Sequence, residues 1–252
     1  MPKLGLSQGL TRSAATMSVP GIIRNSLVMH HNYPREEVQP LSDGAAYFAS
    51  VNPPDSTVNQ YIEIGTTATL RATNFSTGGW FYFNVGSVGE STAMLTSKPA
   101  SGDYKGFQIL KNNSNNFEYR LGTGSIHSMS GSAVSTNKWY HVLVTYDGTT
   151  YKAYENGVFV QSDTQGTHVV SDGTFNIGRY YSGSSTLGAQ GYICNVGYWS
   201  DVLTLAEIKS IMWKQHTDLT TGTDSESDDL VSWWNLDIDA NDSHGSNNGT
   251  LT

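Results

Sequence analysis

A chain of 252 residues with 14% charged residues, a formal net charge of −8 and no clustered Lys and Arg argues against nucleic acid as its main ligand. No stretch reaches the roughly 18–20 apolar residues of a membrane span, and the single cysteine, Cys194, excludes an intramolecular disulfide framework. At this length about 70–75% of the unfolded surface is buried on folding, and 26 Gly beside 14 Tyr are the materials of a many-stranded β protein.

Residues 1–26 mix Gly, Ser, Thr and Pro without a sustained apolar period. They read as a disordered terminus or as an extended arm, in which Leu4, Leu6, Leu10, Ile22 and Ile23 would order against a partner. Met1 to Pro20 carries Lys3 and Arg12 but no continuous apolar core, so it does not read as a signal peptide. The expected organisation is an arm and lead-in over residues 1–41, followed by one all-β domain over 42–252.

From Ser42 onward short β-like runs alternate with turn signals. Ala45 to Phe48 and Gln60 to Ile64 come first, then the aromatic run Trp80 to Val85, which needs burial on at least one face. Thr92 to Thr96, Phe107 to Leu110 and Phe117 to Leu121 follow, the last two separated by the Asn-rich turn 112–116. In Trp139 to Tyr146 the period of two sends Val142, Val144 and Tyr146 to one face and His141, Leu143 and Thr145 to the other. Tyr151 to Glu155 and Val158 to Gln161 form a hairpin about Asn156-Gly157, because a type I′ turn needs positive φ at both central residues. Thr174 to Ile177 and Gly191 to Trp199 are further strands, with Cys194 as a small buried hydrophobe. Thr204 and Glu207 make a capping box, and Leu205, Ile208, Ile211 and Met212 keep helical spacing, predicting a short helix over Leu205 to Trp213. An acidic loop, 224–229, and a last strand, Leu230 to Leu236, close the pattern. Roughly a dozen short strands and one short helix describe a two-sheet antiparallel sandwich.

Four segments, in this order and spacing, resemble the laminin-G-like (concanavalin A-like) jelly-roll superfamily. They are Trp139 to Gly148, Tyr154 to Val158, Asn176 to Arg179 with Gly191 to Trp199, and Leu203 to Ile208. Val231 to Asp237 with Asp242 to Thr250 is similar to an element that usually opens such domains, so its place here implies a shifted strand order. A looser resemblance, in Met1 to Ser7 and His31 to Phe48, is to particle proteins of tailed phages of marine bacteria.

The superfamily resemblance implies sugar binding, often beside calcium, which takes several oxygen ligands at about 2.3–2.6 Å. Family members often carry two acidic residues before the strand that holds Tyr61-Ile62; here Asn59-Gln60 stand there. Asp43, Asp55 and Asp237, with Asp239 and Asp242, are the remaining oxygen donors. Tyr180 and Tyr181 sit in a Gly/Ser-rich loop where stacking on a ligand would occupy them, with Asn176 and Arg179 beside them. A glycosidase would need two facing carboxylates, about 5–5.5 Å apart for retention, and no such run occurs. Serine elbows, zinc-type His pairs at helical spacing and phosphate loops are also missing. The leading expectation is therefore a non-enzymatic decoration protein on a phage particle. Its jelly roll would be displayed on the virion surface, and its arm attached to coat protein or to sister subunits. A carbohydrate-binding adhesion module recognising cell-surface glycans is the alternative, and a glycan-cleaving enzyme a remote one.

Overall fold

The computed structural model describes residues 38–49, 60–86, 91–97, 104–164, 167–182, 185–221 and 225–252. Among these residues sixteen strands and two short α-helices follow in chain order. They are β1 (Ala46–Ala49), β2 (Ile62–Gly65), β3 (Phe75–Phe83), β4 (Thr92–Thr96), β5 (Phe107–Lys111), β6 (Asn116–Gly122), β7 (Ile126–Ala133) and β8 (Trp139–Tyr146). The second half holds β9 (Thr150–Glu155), β10 (Val158–Thr164), β11 (Phe175–Ile177), β12 (Arg179–Ser182), β13 (Ser185–Gly188), β14 (Gln190–Trp199), α1 (Leu205–Ile211), α2 (His216–Thr221), β15 (Leu230–Trp234) and β16 (Thr250–Leu251).

Two seven-stranded antiparallel sheets make the expected sandwich. Sheet I runs β1-β14-β3-β8-β9-β10, and β15 also pairs with β14. Sheet II runs β16-β2-β11-β4-β5-β6-β7, and β12-β13 form a separate hairpin. Strand β14 is long enough to hold two partners on one edge. Its residues 190–193 pair with β1, and 196–199 pair with β15. The register breaks between Cys194 and Gly197, where Asn195 takes φ +49.

Period-two alternation decides what is inside. Phe81, Phe83, Val142, Val144, Tyr146 and Ile193 from sheet I meet Ile62, Leu95, Ile109, Tyr119, Phe175 and Ile177 from sheet II in one continuous core. The outer face of sheet I is partly roofed by the helices. Ile208, Ile211 and Leu219 cover Leu143, Trp199 and Trp233. Val38, from the segment the sequence assigns to the lead-in, packs with Ala45 on Trp80, Cys194 and Met212. The Leu41 carbonyl accepts a 2.8 Å bond from the Asn195 side chain, so residues 38–41 lie against the sandwich.

Local chemistry sets the boundaries. The α1 capping box forms as read: Thr204 Oγ1 accepts from the Glu207 amide at 3.3 Å, and Glu207 Oε2 accepts from the Thr204 amide at 2.7 Å. The helix stops at Ile211, short of the expected Trp213, because the chain tightens there: Trp213 N donates to Ser210 O. Asn156 and Gly157 take φ +50 and +72, as a type I′ turn requires. Gly78 is needed for a different reason. A Cβ there would collide with the Val142 carbonyl and Leu143 on the paired strand β8.

Candidate functional site

The ligand residues inferred from sequence cluster at the junction of β11 and β12. Asn176 is paired in register with Glu63 on one side and Thr96 on the other. It is only 1% exposed; its Nδ2 donates to Thr174 O at 2.9 Å, and its Oδ1 is buried without a partner. Three residues on, past Gly178 at φ +82, Arg179 lays its guanidinium 4.0 Å from the centre of the Tyr61 ring and 3.7 Å from Glu63 Oε2. Burial lowers the Arg179 pKa, and Tyr61 and Glu63 partly restore it. The Arg179 carbonyl accepts a 2.8 Å bond from Thr96 Oγ1, which fixes the start of β12 over β4. Tyr180 and Tyr181, expected in an open loop, have their backbone in β12, paired with Leu187 and Thr186. The loop reading fails because two short Ser- and Tyr-bearing segments satisfy each other's backbone groups.

The same transverse row continues through Gln108, Arg120 and Ser128 on β5, β6 and β7. It is polar but closed to solvent at its centre: Gln108 is 1% exposed, and neither end of its amide has a partner. It opens to solvent at both ends, at exposed Ser128 on β7 and at the half-buried Tyr61–Glu63–Arg179 group.

The oxygen donors proposed for calcium are placed as follows. Asp43 is exposed. The next residue, Gly44, lies so close to the backbone of Asp237 that a Cβ there would be 2.9 Å from its carbonyl oxygen. Asp239 accepts from Asn241. Asp242 is occupied by the fold: Oδ1 accepts from the amides of Trp233, His244 and Gly245, and Oδ2 from that of Asn247, all at 2.9–3.0 Å. Burial works to raise its pKa, but these bonds outweigh it and hold the carboxyl below the usual range. Among the described residues no three His, Cys, Asp or Glu side chains group to hold a metal ion. Asp55 and the arm residues Leu4, Leu6, Leu10, Ile22 and Ile23 lie outside the described residues.

Sheet I carries a feature that sequence reasoning missed. On its outer face Tyr47, Tyr192, Tyr82 and Trp139 stand in register across four neighbouring strands, β1, β14, β3 and β8. Successive ring centroids are 4.9, 5.6 and 5.4 Å apart. Tyr47 and Tyr192 are 51% and 38% exposed, and Tyr82 and Trp139 are half-buried. Amides flank the row: Asn84 Nδ2 donates to Tyr47 Oη, and Tyr82 Oη donates to Asn137 Oδ1, both at 3.4 Å. The inward neighbours Phe48, Ile193 and Phe81 are buried in the core and Tyr140 packs against it half-buried, so each ring has an anchoring residue beside it.

A family model described as the concanavalin A-like lectin/glucanases superfamily matches residues 55–209. The chain belongs to that superfamily. No curated protein matches it. Among solved structures, a Bacteroides ovatus protein assigned to carbohydrate binding superposes with a TM-score of 0.60 at 21% identity, over 82% of this chain and 57% of that one. The chain thus spans little more than half the length of that relative. The CBM40 domain of a Ruminococcus gnavus sialidase superposes at 0.50 and 12% identity, over 68% of this chain and 99% of that one. The same domain bound to α2,3-sialyllactose gives 0.50 at 13% identity. At these identities the likeness establishes the concanavalin A-like fold. No helix among the described residues is long and apolar enough to cross a membrane.

Proposed function

We propose that this concanavalin A-like chain is a non-catalytic carbohydrate-binding module and that its glycan lies across Tyr47, Tyr192, Tyr82 and Trp139. The observation that carries the reading is the row itself. Four aromatic rings stand in register on the outer face, two of them exposed and two half-buried, with amide and hydroxyl groups at their margins. A pyranose presents the same combination, C–H faces ringed by hydroxyls, and apolar contact with a few placed polar groups is how such ligands are held. With strands about 4.8 Å apart, alternate rings are about 10 Å apart, the length of an extended disaccharide. A glycan array probed with and without calcium tests the reading. Binding weakened by Tyr192→Ala and by Trp139→Ala supports it, and a blank array in both conditions overturns it.

A second reading places the ligand at Tyr61, Glu63 and Arg179, with Asn176, Tyr180 and Tyr181 nearby. The guanidinium stacked on Tyr61 favours it, since the planar Arg group is matched in shape and charge to a carboxylate such as that of an acidic sugar. Array hits confined to acidic sugars and lost on Arg179→Ala, with Tyr192→Ala silent, would select it over the first.

The setting we infer is a virion surface, with residues 1–26 as the attachment arm to coat protein or sister subunits. The resemblance of the first 48 residues to phage particle proteins supports that setting. Mass spectrometry of purified particles tests it: many copies per particle are expected, and absence from particles removes it. Calcium at Asp43, Asp55 and Asp237 is part of the same proposal, read out by the calcium dependence of the array.

A further inference from the structure

The protein's other end carries a pair of imidazoles that the glycan reading does not use. His216 opens α2, and His244 lies in the loop between β15 and β16. His216 Nε2 and His244 Nδ1 are 3.3 Å apart, with ring planes at 75° and centroids 5.5 Å apart. We infer that this pair is a binding site for a borderline transition-metal ion such as Zn2+, Cu2+ or Ni2+, clipping α2 to the C-terminal loop.

The distance is the first argument. Two ligand nitrogens at about 2.0–2.1 Å from a tetrahedral zinc are separated by about 3.3–3.4 Å, which is the separation present here. The second argument is rigidity of the supports. α2 is pinned by Leu219, which is buried in the cluster with Trp199 and Trp233. Its start is fixed by Asp218 Oδ2, which accepts from the Gln215 amide at 3.0 Å. His244 is held by its own amide, which donates to Asp242 Oδ1 at 3.0 Å. Both imidazoles are therefore delivered by backbone that is already ordered.

The chemistry selects the metal class. Imidazole nitrogens suit zinc, copper and nickel, whereas calcium and magnesium take oxygen. No third His, Cys, Asp or Glu joins the pair among the described residues. His244 is exposed, so the other positions on the ion would be filled from solvent, by water or by a donor on another molecule.

The test uses the full chain with His30 and His31 replaced by alanine, so that this adjacent pair cannot contribute to the binding measured. Calorimetric titration with Zn2+ at pH 7.5 should give one saturable equivalent. His216→Gln and His244→Gln should each abolish it, while His127→Gln leaves it in place. Thermal unfolding of each variant without metal reports whether it folds. A measurement without mutation at the pair removes that dependence: one equivalent of Cu2+ should give an electron paramagnetic resonance spectrum with coupling to two imidazole nitrogens. Zinc binding that survives both substitutions, no saturable binding in the parent, or coupling to a single nitrogen overturns the inference.

Discussion

Asp242 offers the most direct test of how the C-terminal loop is held. Replacing it with alanine removes the acceptor of four backbone amides, those of Trp233, His244, Gly245 and Asn247. The Trp233 and Asn247 donors are buried, and a buried donor left without a partner costs about 1–3 kcal/mol. The His244 and Gly245 amides are half-buried and can turn to water, so the expected loss is about 2–6 kcal/mol. That is a large share of a typical domain stability of about 5–15 kcal/mol. Asp242→Asn keeps the oxygen that serves three amides but sets an NH2 group against the Asn247 amide, so its loss should be smaller, about 1–3 kcal/mol. Urea unfolding followed by tryptophan fluorescence measures both, with Trp233 and Trp234 as nearby reporters. The sign with pH is also fixed. Because the folded-state pKa is depressed, the carboxylate's contribution is complete above the ordinary Asp value of about 3.9 and is lost as pH falls through the folded value. Asp242→Asn should flatten that part of the acid limb. An alanine variant within about 1 kcal/mol of the parent would refute the reasoning, since it would mean that the orphaned amides find other partners at no cost.

His141, buried beside Trp80, has its pKa pushed down to about 3 by burial. The unfolded chain binds a proton at His141 below about pH 6.5 and the folded chain does not, so stability should fall as pH drops from about 6.5 toward 3. The loss is about 2 kcal/mol by pH 5, and His141→Phe should remove that component; an NMR resonance assigned to His141 that titrates near 6.5 in the folded protein would contradict it. Gly78→Ala should cost several kcal/mol, because its methyl would meet the Val142 carbonyl in the middle of sheet I; a melting temperature unchanged from the parent would show that β3 and β8 can separate freely. Tyr192→Ala should change stability by less than about 1 kcal/mol, because its ring lies on the outer face. Its effect should appear in glycan retention on affinity electrophoresis, and an unfolded variant would mean that the row belongs to the core.

Where pattern and packing agree, the sequence was readable to the residue. β8 has the boundaries expected from alternation and β4 those of the short run Thr92 to Thr96, and the α1 cap and the Asn156-Gly157 turn form as their chemistry requires. β7 was missed because Ile126–Ala133 is His-, Ser- and Gly-rich with only Met129 buried, as befits an edge strand. The first half of β3 was missed because Ser-Thr-Gly-Gly has poor strand propensity; its glycines answer to the close backbone of β8, which no local window contains. α2 carries a single core residue, Leu219, too few to mark a period. The acidic stretch 224–229 reads as a loop with no core contact marked in its pattern, yet Glu226 is buried, paired with Lys214 Nζ at 3.0 Å, with its carbonyl accepting from Trp199 Nε1. The aromatic row was visible only as scattered Tyr and Trp, because a row across four strands exists once register is fixed, and register is a non-local property.

The last two strands have a consequence for how the protein comes to exist. β15 completes the edge of sheet I beside β14, and β16 completes the edge of sheet II beside β2, where Tyr61 and Thr252 exchange both backbone bonds. Partners so far apart in sequence make folding slow, on the millisecond-to-second scale usual for sandwiches rich in long-range pairing. During synthesis, neither layer gains its final border until residues 230–251 have cleared the ribosome. Through most of translation the nascent chain therefore presents open strand edges, the surfaces from which aggregation starts and which chaperones shield.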